Sequence, residues 1–365
     1  MKILSVSLIF ALNLTGCYTH PAPALVGSFS GTELQQFSAL NPIDAHAHIF
    51  ISDPEFYATL NKLNLRVLDI LLVDNTNLVR SNLSIEDQNA WQFVHGANGR
   101  ASLCTTFDPY QITQPNFSET AIHQINQEFD RGAVAVKIWK NIGMELKNSD
   151  GTYILPDDPR FQPIYRDIVA HNKTLIAHLA DPNSSWESPN FDSPDANYYD
   201  ANPQWYMYTQ ARAPSKGQIL QARDHLLEQN KDLRVVGAHL GSEESDFGEL
   251  GQRLDRYPNF AVDLAGRLAY IAMRPRAQMI AFFTQYQDRL IYGTDTEYGF
   301  GEPQVNGVRT PWENVYARDW RFLATDDKLN IGGQTVHGLA LPRSILLKLY
   351  HDNAVRWYPG ISTIH

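Results

Sequence analysis

His46 and His48 stand one residue apart in Pro42-Ile43-Asp44-Ala45-His46-Ala47-His48-Ile49, at the end of a short apolar run. In a strand, residues i and i+2 project to one side, so both imidazoles aim at the same point. Two converging nitrogen donors are half of a four-ligand metal site. His-x-His pairs also arise by chance on surfaces, so the reading depends on what the rest of the chain supplies. Further ionisable groups recur where later apolar runs end. Lys137 lies in the run 133–139, His178 ends 174–178, His239 ends 233–239 and Asp295 ends 290–295.

These runs are the elements that must position the chemistry. From residue 42 the chain alternates short β-rich stretches with helical ones, which predicts βα units on a parallel sheet. The spacing predicts strands over 43–49, 66–74, 101–107, 133–139, 174–178, 233–239, 260–264 and 290–295. Asp53-Pro54 is an N-cap with proline in the first turn of a helix. Ile122, Ile125 and Phe129 repeat at helical spacing within 120–129, and helices are also expected over 161–171 and 218–229. Residues 181–208 break the rhythm. They carry Trp186, Phe191, Tyr198, Tyr199, Trp205, Tyr206 and Tyr208 among Pro, Asn, Asp and Ser. A loop of that length in a compact domain is functional or disordered, and its aromatics suit a lid or pocket wall.

Eight strands with intervening helices predict an α/β fold, a single-domain (β/α)8 TIM barrel. A doubly wound open sheet is the alternative, but no glycine-rich phosphate loop follows the first strand. In a barrel, the C-terminal strand ends carry the active site. His46, His48, Lys137, His178, His239 and Asp295 would then share one rim. On the fourth strand Ala133, Ala135 and Lys137 share a face, opposite the larger Val134, Val136 and Ile138. The larger face would pack on helices, leaving Lys137 to point into the barrel mouth. Together these six residues are hard to explain as core packing.

The pattern resembles the amidohydrolase superfamily, within it the amidohydrolase-2 group of single-domain barrels. The resemblance runs from Ile43-Asp44-Ala45-His46-Ala47-His48 through Ala135-Val136-Lys137-Ile138, Asp158-Pro159-Arg160-Phe161, Ile176-Ala177-His178, Gly237-Ala238-His239-Leu240-Gly241 and Tyr292-Gly293-Thr294-Asp295. It ends at Asn353-Ala354-Val355-Arg356-Trp357-Tyr358, so it spans 42–358. It implies that His46, His48, His178 and Asp295 bind one divalent metal, zinc or alternatively manganese, with a position open for water. Asp295 would also take the water's proton, and His239 would polarise or position the water or substrate. Some relatives carry a carboxylated lysine bridging two metals. Lys137 stands on the right strand for that, and is otherwise a substrate-carboxylate contact or ion-pair partner; a second metal is expected only if it is carboxylated.

Beyond these, Trp139, Arg267 and Glu297 follow strands four, seven and eight and are candidate substrate-binding residues. Arg267 suits a bidentate grip on a carboxylate, or is a surface arginine. Glu243 and Glu244 are either a solvated helix start or catalytic. His95, His171, His225, His337 and His351 read as structural.

The 365 residues carry a net charge of −10, with 43% hydrophobic and 19% charged residues, the balance of a soluble globular chain. That charge argues against a nucleic-acid partner. With only Cys17 and Cys104 there is no disulfide framework, and Cys104, in an apolar run, reads as a buried spectator. Residues 1–17 are not fold. Lys2 precedes an apolar stretch too short to span a bilayer, and Leu14-Thr15-Gly16-Cys17 resembles the bacterial lipoprotein cleavage box. An ordinary secretory signal or an uncleaved anchor is the alternative. The resemblance implies lipidation of Cys17, a flexible tether over 18–41, and membrane contact through the N-terminal lipid alone. It implies residence in the cell envelope, at the outer membrane facing the periplasm.

The expected function is therefore an envelope-tethered, metal-dependent hydrolase that attacks a C–N or C–O bond of a small molecule through metal-activated water. Two alternatives remain. One is a nonoxidative metal-dependent decarboxylase of an unsaturated or aromatic acid, which shares the metal ligands. The other is a non-catalytic ligand-binding lipoprotein on the same barrel. Dimers are common in the group the chain resembles, which leaves a homodimer open as the assembly.

Overall fold

The structure, a computed structural model, describes residues 27–75, 82–189, 191–195, 198–299, 304–305, 308–309 and 311–361. Cys17 and the signal-like segment 1–17 lie outside the described residues. A parallel sheet runs in order through β1 (Ile43–Ile49), β2 (Arg66–Ile70), β3 (Ala101–Thr106), β4 (Ala135–Ile138), β5 (Thr174–Ala177), β6 (Arg234–Gly237), β7 (Phe260–Asp263) and β8 (Leu290–Ile291). A ninth strand, β9 (Thr296–Tyr298), pairs in parallel with β1. Residues 290–298 act as one interrupted strand, because β8 pairs with β7 while β9 pairs with β1. Backbone bonds from Ala45 N–H to the Tyr292 carbonyl (3.0 Å) and from Asp295 N–H to the His46 carbonyl (2.8 Å) carry the closure across the interruption. The fold is a (β/α)8 TIM-barrel type.

The sheet divides the core in two. Ile43, Ala45, Leu68, Ile70, Ile176 and Val236 pack inside the barrel, where Ala354, Trp357 and Tyr358 of the closing helix region plug the floor. Outside, Val67, Leu103, Val136, Ile138 and Leu175 pack against the helices. Cys104 is buried within the barrel.

β1 departs from plain alternation. Its register against β2 passes from Asp44↔Val67 to Ala47↔Asp69, so β1 holds one extra residue. That bulge lets Ala45 face inward and His46 face inward too, while Ala47 and Ile49 go to the outer core. Bulges re-aim side chains near active sites in this way. Asp44, on the outer side, clamps the closure. It accepts bonds from Thr294 N–H, Thr294 Oγ1, Tyr316 Oη and His46 N–H, and burial pushes its carboxyl up to about 7.

One expectation changes in the fold, and two features add to it. Part of the expected tether is ordered: Gly31–Ser38 is a helix with a Ser30/Glu33 capping box. Its Phe37 is fully buried against Tyr316, Trp320 and Tyr350, which a stretch rich in small residues had concealed. The aromatic segment 181–208 is also packed where described. It forms short turns whose Trp205 and Tyr199 are buried. Finally, a hairpin of Lys328–Ile331 and Gln334–His337 lies after the barrel strands. Its two-residue turn, Gly332-Gly333, has positive φ at both positions, the signature of a tight hairpin turn. Among the described residues no helix is long and apolar enough to cross a membrane.

Candidate metal centre

His46 Nε2 lies 3.4 Å and His48 Nε2 3.5 Å from Asp295 Oδ1. Among the described residues these three form a group whose ligand atoms all lie within 4.8 Å of one another. Each imidazole is fixed through its other nitrogen. His46 Nδ1 meets Asp263 Oδ2 at 2.8 Å, and His48 Nδ1 meets the Ile70 carbonyl at 2.6 Å. A carbonyl only accepts, so His48 Nδ1 carries the proton, and a neutral ring then presents its Nε2 lone pair to a carboxylate oxygen. Two acceptors facing each other at 3.5 Å are unfavourable unless a cation lies between them. The residues present therefore fit a divalent metal. Ligating histidines anchored to a carboxylate or carbonyl are the usual outer support of such sites.

The local electrostatics agree. Burial, reinforced by the Lys137 ammonium, lowers the His46 imidazole below its usual range. Burial lowers His178 and His239 well below it. Neutral rings are the form that ligates. Burial by itself would raise Asp295, but the imidazoles of His239, His48 and His46 hold its carboxyl well below the usual carboxylate range. Its side chain is 35% exposed, so this anion faces the barrel mouth.

The remaining candidates gather around this trio. Lys137, 1% exposed, places Nζ 3.4 Å from His46 Nε2. His239 packs its ring 4.9 Å from that of His46 and 4.3 Å from that of His178. Its Nδ1 lies 2.8 Å from the Ala265 carbonyl. His178 stands outside the 4.8 Å group. It lies just past β5, with Nε2 3.5 Å from Asp181 Oδ1.

The backbone at His239 is unusual. His239, Leu240, Gly241 and Ser242 all have φ between 57° and 64°, a left-handed turn immediately after β6. Such a turn costs about 1–2 kcal/mol per non-glycine residue. Asp263 Oδ1 offsets part of this by accepting from His239 N–H at 2.8 Å and from Ala265 N–H at 3.1 Å. Gly237 is required beside it, because a Cβ there would lie 2.7 Å from Gly241 Cα and 2.8 Å from the Phe260 ring.

The outer candidates separate. Arg267 is buried and bonds the Gly266 carbonyl, with Nε 3.7 Å from Glu244 Oε2 and without a hydrogen bond. Trp139 is buried edge-on against Trp205. Glu297 is exposed on β9. Glu243 and Glu244 are neither solvated nor at the metal centre. Glu243 pairs with Arg223 and Arg253, and Glu244 pairs with Lys216. Two further groups were not singled out in the sequence. Asp263 is one, although an acid ending the apolar run 260–263 is the same signal that marked His178 and His239. The other is the buried pair Lys140–Asp181, 2.7 Å apart. Lys140 also donates to Tyr198 Oη and lies 4.7 Å over the Trp205 ring, pinning the aromatic segment to the end of β4.

The amidohydrolase family model matches residues 43–360. The chain belongs to the amidohydrolase family. No curated protein matches it by sequence. Among solved structures it is similar to an amidohydrolase II, with TM-score 0.52 and 14% identity over 87% of this chain and 99% of that one. A 2,6-dihydroxybenzoate decarboxylase from Rhizobium gives TM-score 0.48 and 12% identity over 86% and 98% of the two chains. A dihydroorotase from Campylobacter jejuni gives 0.47 and 12% over 87% and 83%.

Proposed function

We propose that this amidohydrolase-family chain is an envelope-tethered hydrolase that opens a C–N or C–O bond of a small molecule. One observation carries the reading: two imidazole nitrogens and a partly exposed carboxylate converge at the barrel mouth. A divalent ion held by His46, His48 and Asp295, zinc or alternatively manganese, would polarise the scissile group and acidify a water. The chain's own groups divide the remaining work. Asp295 accepts the proton of the attacking water and returns it to the leaving group. His239, with Nδ1 committed to the Ala265 carbonyl, keeps Nε2 as an acceptor that orients water or substrate. His178 completes the donor set on the β5 side. Lys137 neutralises negative charge beside His46, and Arg267 holds an anionic group of the substrate. Trp139 and the segment 181–208 wall the mouth.

A second reading, nonoxidative decarboxylation of an unsaturated or aromatic acid, uses the same ligands. The guanidinium of Arg267, buried and close enough to Asp295 for their charges to interact, favours it, because it suits a substrate carboxylate. On this reading the lipoprotein-like sequence 1–17 would tether the enzyme through a lipid at Cys17 to the cell envelope, at the outer membrane facing the periplasm, where it acts on small molecules and not on nucleic acid.

The test begins with elemental analysis of a chain starting after Cys17. About one zinc or manganese per chain, lost in His48→Ala, supports the site; no metal after resupply overturns it. In turnover, 18O incorporation from water marks hydrolysis, whereas carbon dioxide release without it marks the second reading. Asp295→Asn that binds substrate but loses at least ~100-fold in kcat excludes a mere binding protein.

A further inference from the structure

A cavity of about 210 Å³, separate from the metal centre, is lined from the helices Leu268–Ala272, Arg276–Gln285 and Trp312–Ala324 and from the hairpin strand Gln334–His337. Ile271, Phe322, Val336 and Leu339 give it apolar walls, and Arg274 and Arg276 bring two guanidinium groups to it. None of its lining residues belongs to the candidate metal centre. Arg276 donates from Nε to the Gly338 carbonyl at 2.7 Å and from Nη2 to the Leu339 carbonyl at 3.2 Å. Arg274 donates from Nη2 to the Ser245 carbonyl at 2.5 Å.

These bonds fix both side chains through neutral carbonyls and leave their charge uncompensated. Among the described residues neither guanidinium has an ion-pair partner, and Nη1 of each makes no hydrogen bond. Arg274 Nε is buried without a partner, but its Nη1 keeps exposed surface, and Arg276 is exposed. His337 also lines the cavity, with Nδ1 3.0 Å from the Asp326 carbonyl, and adds no negative charge. The nearby acids, Asp326 and Asp327, are exposed and lie outside the lining. A guanidinium already pinned loses little further freedom when it takes a carboxylate. Two such cations beside apolar walls have the polarity of a site for an organic anion. The size agrees, since an apolar cavity of about 150 Å³ already admits benzene.

We propose that this cavity is a second ligand site, distinct from the metal centre, that takes a small organic carboxylate. The apolar body of the ligand packs against Ile271, Phe322, Val336 and Leu339, and its carboxylate meets the Nη1 donors of Arg274 and Arg276. Inorganic anions are disfavoured, because the apolar walls would strip their water without returning hydrogen bonds. An occupied site joins the hairpin, which supplies Val336, to the helices that follow β7.

The test uses the full chain, labelled with 13C at isoleucine, leucine and valine methyls and titrated with benzoate and, separately, with neutral, near-isosteric benzamide. Saturable shifts at Ile271, Val336 and Leu339 are the expected result. Benzoate should bind about tenfold tighter or more, the margin of charge-assisted over neutral hydrogen bonds. Arg274→Gln should cut that preference several-fold while leaving benzamide binding unchanged. The shifts should persist in His48→Ala; their loss there would assign the binding to the metal centre and overturn the proposal. Equal binding of the two probes would show an apolar cleft only and overturn it too, as would shifts confined to other methyls or no binding up to tens of millimolar. If Arg274→Gln does not fold, the comparison of the two probes on the unaltered chain still decides.

Discussion

Replacing Asp263 by asparagine should damage the metal centre without touching a ligand. Asp263 spends Oδ1 on two backbone donors, His239 N–H at 2.8 Å and Ala265 N–H at 3.1 Å, and Oδ2 on His46 Nδ1 at 2.8 Å. Asparagine has one oxygen, and the two backbone N–H groups claim it. Its NH2 then faces His46 Nδ1, which must accept, so the ring proton moves to Nε2. That proton occupies the lone pair aimed at Asp295 and the metal. Loss of such an outer partner typically lowers metal affinity 10–100-fold, equivalent to about 1.4–2.7 kcal/mol. The assay is a chelator competition with zinc and with manganese, on Asp263→Asn and the parent chain, with near-UV circular dichroism confirming the fold. The pH dependence adds a second readout. Moving the ring proton between nitrogens takes up none from solution, and Asp263 itself raises the His46 imidazole, so the variant should lose no more affinity near pH 6 than near pH 8. A folded variant whose affinity stays within twofold of the parent would refute the tautomer argument.

Two further outcomes concern stability. Phe37→Ala removes a fully buried ring from the docked helix Gly31–Ser38, and should cost about 3–5 kcal/mol in urea unfolding; a change under 1 kcal/mol would mean that the helix is not part of the folding unit. Lys140→Ala leaves Asp181, 3% exposed, as a buried charge beside His178, which should cost about 3–5 kcal/mol. Replacing both partners by apolar residues, Lys140→Met with Asp181→Leu, should recover much of that loss, and failure to do so would show that Lys140 acts mainly through the aromatic rings.

The reach of the sequence is clearest in β1. Composition and period placed a strand over 43–49, and His-x-His marked it as chemical, because strand ends and imidazoles are local facts. Which face the histidines take was not local. Ile43 and Ala45 point into the barrel, and strict alternation would send His46 and His48 outward beside Asp44. The bulge against β2 turns them inward, and a bulge exists only when the partner strand is in place. His178, His239 and Asp295 were likewise read as the last residues of their strands, yet each lies one to four residues beyond. Left-handed backbone at His239 and Asp295 aims two of those side chains, a conformation that long-range bonds to Asp263 and His46 sustain.

Residue type by itself determined that this chain is an alternating β/α barrel carrying imidazoles, a lysine and an acid along one rim. Periodic burial and strand-end position are written into the order of residues. The tertiary structure alone decided which of those groups meet. It brought His46, His48 and Asp295 together and set His178 against Asp181. It supplied Asp263 as the hidden anchor, and it turned Glu243 and Glu244 into ion-pair partners. Such pairings join residues up to hundreds of positions apart, as His46 and Asp263 are, and no local pattern encodes a contact whose energy appears only when the sheet closes.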